Sequence, residues 1–178
     1  MIRLFAAVAV TPELGEGLQA RQTGLAGANW RPLEAFHITL RFFGDVREDM
    51  ADDLHLELER IFAAPMTLEL EGVGSFGEGP ELHAVWAGVR ESEALRRLAK
   101  ACETAARRAG LAPDSRAYRP HVTLAYLRRP DPADVAAWLA ANALLKSPPF
   151  QVSHFGLYSS KLLSGGSRYQ LEQIYRLR

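Results

Sequence analysis

Thiols are nearly absent from this chain: Cys102 is its one cysteine. That excludes an internal disulfide framework and any multi-thiolate metal site, and it fits a reducing compartment. An excess of charge is missing too. Lys and Arg total 21, Asp and Glu total 21, and the formal net charge is zero. Proteins that bind by coating many phosphates carry an excess of positive charge, so the balance argues against that class while leaving room for one phosphate in a local pocket. No apolar run approaches the roughly 20 residues needed to span a bilayer. The run Leu4–Val10 is apolar, and Ala7-Val8-Ala9 mimics a signal cleavage site. One arginine precedes it, the run is short for a signal sequence, and Thr11-Pro12-Glu13 then opens a helix-like segment, so it reads as a buried first strand. Low-complexity segments, flexible linkers and the His-Glu-x-x-His metal pattern are lacking as well. The expectations are a cytoplasmic protein with no membrane attachment, no cofactor, no metal and no obligate protein partner.

What is present is globular. The 178 residues are 48% hydrophobic and 24% charged, enough to bury a sizeable core. Thr11 and Pro12 open a helix to about Gln22. Phe36–Phe43 is β-branched and aromatic and ends at Gly44, the pattern of a strand. Asp49–Phe62 places Met50, Leu54, Leu58, Ile61 and Phe62 at helical spacing. Met66–Phe76 alternates as one half-exposed strand and returns through Leu82–Val89. Glu91–Ala109 is the longest helix, with Leu95, Leu98 and Cys102 on one face and Gly110 as its stop. Tyr118–Leu127 is a strand and Asp131–Leu145 a helix. Phe150–Ser159 and Arg168–Leu177 form a second hairpin across Lys161–Ser167.

The order strand, helix, strand, helix, strand occurs twice. Val10 to Val89 is an offset of 79 residues, His37 to His121 is 84, and Thr67 to Phe150 is 83. A period this long with two copies points to a duplicated unit, not a solenoid. The fold class expected is α+β, with two mainly antiparallel sheets backed by helices. The repeat covers about residues 1–80 and 81–160, and residues 168–177 form a closing strand.

The most specific signal lies at matching places in the two copies. His37-Ile38-Thr39-Leu40 is answered by His121-Val122-Thr123-Leu124. In a strand, residues i and i+2 share a face. His37 and Thr39 therefore point one way, with Ile38 and Leu40 packed the other way, and the second motif repeats the arrangement. Histidine gives or takes a proton near neutrality. Two imidazoles can serve as acid and base on opposite sides of a substituted phosphorus, each worth about 10²–10⁴-fold. Two threonine hydroxyls can donate to phosphoryl oxygens as charge builds there.

The paired motifs resemble those of the 2H phosphoesterase superfamily. The segments RLFAAVAV, FHITLRFFGDV, ELHAVWAGV, YRPHVTLAYLRR and FGLYSSKLLSGGSRYQLEQIYRL extend the likeness in order over nearly the whole chain. They are similar to the bacterial RNA 2′,3′-cyclic phosphodiesterase branch, historically called 2′-5′ RNA ligase. The resemblance implies one bilobal, pseudo-symmetric domain over 1–178 with a central cleft. It implies hydrolysis of a terminal 2′,3′-cyclic phosphate to a 2′-phosphate, and ATP-independent 2′-5′ joining as the reverse. It makes His37 the proton donor and His121 the proton acceptor, with Thr39 and Thr123 on the phosphate. One departure is visible: many members carry arginine where this chain has Tyr126.

The partners expected are RNA ends or small cyclic-phosphate nucleotides; an RNA-end binding module with little catalysis and a phosphodiesterase acting on small cyclic nucleotides or 2′-5′ oligonucleotides are the alternatives. Arg41 shares the His37–Thr39 face and is a candidate substrate contact. Tyr126 and Arg128 are candidates beside the second motif, as are Arg119 and Arg129. Phe42, Tyr118 and Tyr126 are candidate stacking platforms. His55 reads as a surface helix residue, His83 and His154 as packing or rim residues. Trp30, Trp86 and Trp138 read as packing aromatics. Ser164–Ser167 reads as a hairpin turn.

Overall fold

The computed structural model describes residues 1–164 and 166–178. The chain runs β1 (Ile2–Ala9), α1 (Pro12–Gln19), β2 (Asn29–Trp30), β3 (His37–Val46), α2 (Glu48–Glu59), β4 (Met66–Leu68), β5 (Leu70–Phe76), β6 (Ala84–Val89), α3 (Glu93–Arg108), β7 (His121–Tyr126), α4 (Pro132–Asn142), β8 (Phe150–Val152), β9 (His154–Leu163) and β10 (Gly166–Arg176). Among the described residues no helix is long and apolar enough to cross a membrane.

The helices begin and end where side-chain chemistry allows. Ser92 Oγ accepts the Leu95 amide at 3.2 Å to cap α3, and the Asp131 carboxylate accepts the Ala133 amide at 2.9 Å to cap α4. Each satisfies a backbone donor that the first helical turn leaves unpaired. Gly110 ends α3 at φ 85°, and the Leu111 amide reaches back to the Ala106 carbonyl at 2.9 Å, the left-handed stop that glycine permits. The apolar face of α3 buries Leu95, Leu98 and Cys102 completely or nearly so.

Among the described residues, ten strands form two four-stranded antiparallel sheets and one short pair. The first sheet has the order β10-β9-β1-β3 and the second β2-β7-β6-β5, while β4 pairs with β8. Each sheet therefore takes strands from both halves of the sequence. β3 and β7 approach one another where the sheets meet. The Tyr118 hydroxyl, just before β7, donates to the Thr39 carbonyl of β3 at 3.0 Å and ties the sheets together.

Several boundaries differ from the sequence reading for physical reasons. The run Met66–Phe76 is two strands. The break falls at Glu69: Leu68 pairs with Phe150 of β8 and Leu70 with Val89 of β6, while Gly72, at φ 71°, sits in the register skip between Leu70 and Val73 within β5. The C-terminal run Phe150–Ser159 divides likewise at Ser153. α2 ends at Glu59, three residues before Phe62, which is 78% exposed. β2 lies just past the expected loop of 24–28 and is too short to give a periodic signal. The expected turn 164–167 includes Gly165, which lies outside the described residues.

Ile38 is fully buried, directly between the two cleft-facing residues of β3. Ile38→Ala should cost about 2–5 kcal/mol of stability, measured by chemical denaturation. A loss below 1 kcal/mol would mean the site strand is not anchored by this side chain.

Candidate active site

His37 and His121 each open a strand. His37 follows a 3₁₀ turn at Leu33–Ala35 and pairs with Ala9 at the end of β1; His121 follows Pro120 and pairs with Gly88 of β6. Their side chains line the same cavity, of about 940 Å³, together with those of Thr39 and Thr123. The alternation carries this placement: Ile38, Val122 and Leu124 are fully buried beneath them.

The two histidines sit in different surroundings. The His37 ring stacks on Phe5 at 4.8 Å between centroids and meets Tyr169 edge-on at 5.0 Å, with Tyr158 stacked at 6.1 Å. Burial among these rings holds its pKa down at about 4, helped by the Arg31 guanidinium and, less, by His121. The charged form is starved of water and placed near like charge. The His121 ring packs edge-on to Phe76 at 4.8 Å and against Trp86 at 5.7 Å. Its Nδ1 lies 2.6 Å from the Arg119 carbonyl oxygen. A carbonyl only accepts, so Nδ1 carries the proton and Nε2 keeps its lone pair in the neutral ring. Burial lowers the His121 pKa, and the Arg119 carbonyl partly offsets that.

Seven arginines and lysines line the cavity against two carboxylates, Glu103 and Asp114. The chain as a whole is neutral, so its positive charge is concentrated here, and a cleft lined by one sign of charge draws in the opposite sign.

The sequence-selected residues divide. Tyr126, Phe42, Tyr118 and His83 line the cavity. Arg41 also lines it, but its charge is already balanced. Nε is bonded to Glu103, NH2 donates to the Ala112 carbonyl at 2.8 Å, and NH1 lies 3.7 Å from Asp114. The register of β3 on β1 skips between Thr39 and Arg41, so simple parity does not carry to Arg41, and the long side chain turns to α3 and the loop after it. Arg128 is exposed in the bend after β7 and does not line the cavity. Arg119 does line it, while Arg129 does not. His55 is half-buried, not a plain surface residue, with Nδ1 2.9 Å from the Tyr175 hydroxyl. Trp138 packs against Trp30, and Trp86 backs His121. Arg31, Phe5, Tyr158 and Tyr169 were not singled out in the sequence. They reach the site from strands far apart along the chain, and no local motif marks them.

This chain matches the model of the 2′-5′ RNA ligase superfamily over residues 10–162. The chain belongs to that superfamily. Within it, an Escherichia coli protein named RNA 2′,3′-cyclic phosphodiesterase is 31% identical over 176 residues, covering 94% of this chain and 92% of its own. A protein of the same name from Archaeoglobus fulgidus is 28% identical, over 98% and 99%. The crystal structure of E. coli LigT complexed with 3′-AMP superposes with a TM-score of 0.80 at 26% identity, over 99% of this chain and 98% of that one. As a member of the 2′-5′ RNA ligase superfamily, the chain has the mixed α and antiparallel β architecture expected from its sequence.

The depressed His37 pKa links stability to pH. Between about pH 6.5 and 4 the unfolded chain binds more protons at this residue than the folded chain. Stability from neutral His37 is thus complete above about pH 6.5, is lost as pH falls, and levels off below about 4. The total is roughly 3 kcal/mol. His37→Gln should flatten the stability profile across that window relative to the parent. An unchanged profile would show that folding does not depress His37.

Proposed function

We propose that this protein hydrolyses the 2′,3′-cyclic phosphate at an RNA end to a 2′-phosphomonoester, using His121 as base and His37 as acid. The observation that carries this reading is the placement of two strand-opening imidazoles, each with its threonine, on one cavity. The names of the relatives support the substrate.

The steps follow from the two environments. His121 Nε2 takes a proton from water as the water oxygen attacks phosphorus. The bond from phosphorus to the 3′ oxygen breaks, and His37 in its charged form protonates that oxygen. Phosphate remains on the 2′ oxygen. His121 ends charged and His37 neutral, and exchange with solvent restores both. Thr39 and Thr123 donate to the non-bridging oxygens as charge builds there. The same steps with a 5′ hydroxyl in place of water give 2′-5′ joining: His121 takes the hydroxyl proton, the bond from phosphorus to the 5′ oxygen forms, the bond to the 3′ oxygen breaks, and His37 protonates that oxygen.

The acid role sets a condition. Burial keeps His37 neutral at pH 7. An anionic phosphate beside it offsets the nearby guanidinium and favours the imidazolium. The substrate therefore helps to load the acid that acts on it.

Short oligonucleotides ending in a 2′,3′-cyclic phosphate should yield 2′-phosphate ends, with turnover unaffected by EDTA. His37→Ala and His121→Ala should each cost roughly 3 kcal/mol or more of transition-state stabilisation. Thr39→Val and Thr123→Val should each cost roughly 1.5–3 kcal/mol. A 3′-phosphate product, or activity lost to chelator and restored by Zn²⁺, would overturn the mechanism.

The two histidine roles separate by leaving group. A substrate whose departing oxygen needs no proton should restore turnover to His37→Ala and not to His121→Ala. Rescue of His121→Ala instead would exchange the two assignments.

A further inference from the structure

Arg31 follows β2 and is 5% exposed. β2 pairs with β7, Asn29 opposite Tyr126, which brings Arg31 onto the cavity wall. Its guanidinium carbon lies 5.3 Å from the Tyr126 ring centroid and 5.8 Å from that of Tyr169. NH2 donates to the Ser167 carbonyl at 3.2 Å. Among the described residues that is the one hydrogen bond of its side chain, and no carboxylate pairs with it.

This is an expensive arrangement for a structural residue. A guanidinium has five N–H donors in a planar fork, and a charge held away from water is costly unless paired. The same cavity shows the alternative. Arg41 is balanced by Glu103 and Asp114, whereas Arg31 is offered only two phenol rings and a carbonyl. Stacking on aromatic faces fixes the plane of the fork and leaves its edges for a bidentate anion. Tyr169 touches both partners: it lies under Arg31 and 5.0 Å edge-on from His37. The unpaired fork and the half-buried imidazole thus share one ring, on the wall where a reacting phosphate would sit.

We infer that Arg31 is a phosphate-binding residue of the cleft, its guanidinium held flat by Tyr126 and Tyr169 to take two oxygens of the substrate phosphate. The choice of phosphodiester substrate rests on the function proposed above; the anion site itself does not. A phosphomonoester carries more charge than the cyclic diester, so Arg31 also grips the 2′-phosphate product, and product release becomes part of its cost. Tyr126 and Tyr169 are positioning residues that act through Arg31.

The test uses the full-length protein and inorganic phosphate as probe, with binding measured by calorimetry. Arg31→Met should weaken phosphate binding about ten- to a hundredfold, the usual range for a lost charge-assisted hydrogen-bond pair. Its thermal midpoint should hold or rise, since an apolar side chain of similar length replaces an unpaired buried charge. Arg31→Lys should recover part of the affinity through charge alone. NMR titration should show phosphate raising the His37 pKa in the parent and raising it less in Arg31→Met. Unchanged phosphate affinity in folded Arg31→Met overturns the inference, as does a parent that binds no phosphate. So does affinity lost only in proportion to unfolding, followed by circular dichroism. A parent that binds phosphate through Arg31 yet leaves cyclic-phosphate oligonucleotides intact supports the anion site and refutes the proposed reaction. Turnover with the same KM in Arg31→Met and the parent does the reverse.

Discussion

Strand alternation is the constraint on which the site depends. In β3 and β7 every cleft-facing side chain has a neighbour sealed in the core: Ile38 and Leu40 in one, Val122 and Leu124 in the other. Burial of each is worth about 1.5–3 kcal/mol. A slip of one residue in either strand would turn His and Thr into the core and these aliphatics into the cleft. The reactive side chains are thus held in place by hydrophobic burial on the opposite face, and the chemistry itself contributes little to fixing them.

Two histidines of the same kind are set apart by what surrounds them. His37 lies among Phe5, Tyr158 and Tyr169, and its free state is neutral. His121 is oriented by the Arg119 carbonyl, which also fixes its tautomer. Environments that push two titratable groups apart are how one site runs acid and base steps together. In the proposed reaction, positive charge in the cleft and a neutral His37 are compatible because the substrate phosphate brings the negative charge.

The helices, most strands and the four motif residues were legible in the sequence because each rests on a short-range pattern. Alternation through His37–Leu40 and His121–Leu124 announced two half-buried strands and the faces of their side chains. The rest depended on long-range geometry. Arg31 sits beside a strand of two residues, below the length at which alternation means anything. Phe5, Tyr158 and Tyr169 come together only through the pairing of β1, β9 and β10. Arg41 shows the limit in the other direction. A register skip after Thr39 interrupts the alternation before Arg41, and the destination of its long side chain was decided by Glu103 and Asp114, some 60 residues or more away. The division of Met66–Phe76 falls at Glu69, where the chain passes from β8 to β6, a change of partner that the unbroken alternation Leu68-Glu69-Leu70-Glu71 does not announce.

The mixed parentage of the sheets has a mechanical consequence. The backbone leaves the first sheet after β1, returns for β3, departs again for β5 through β7, and comes back for β9 and β10. A hinge works by letting a few residues absorb a rotation between two otherwise independent bodies. Here a rotation of one sheet against the other would have to bend four separate crossings at once. The cleft is therefore a stiff jaw of nearly constant gape, and adjustment to a ligand falls to side chains and the surface loops at its mouth.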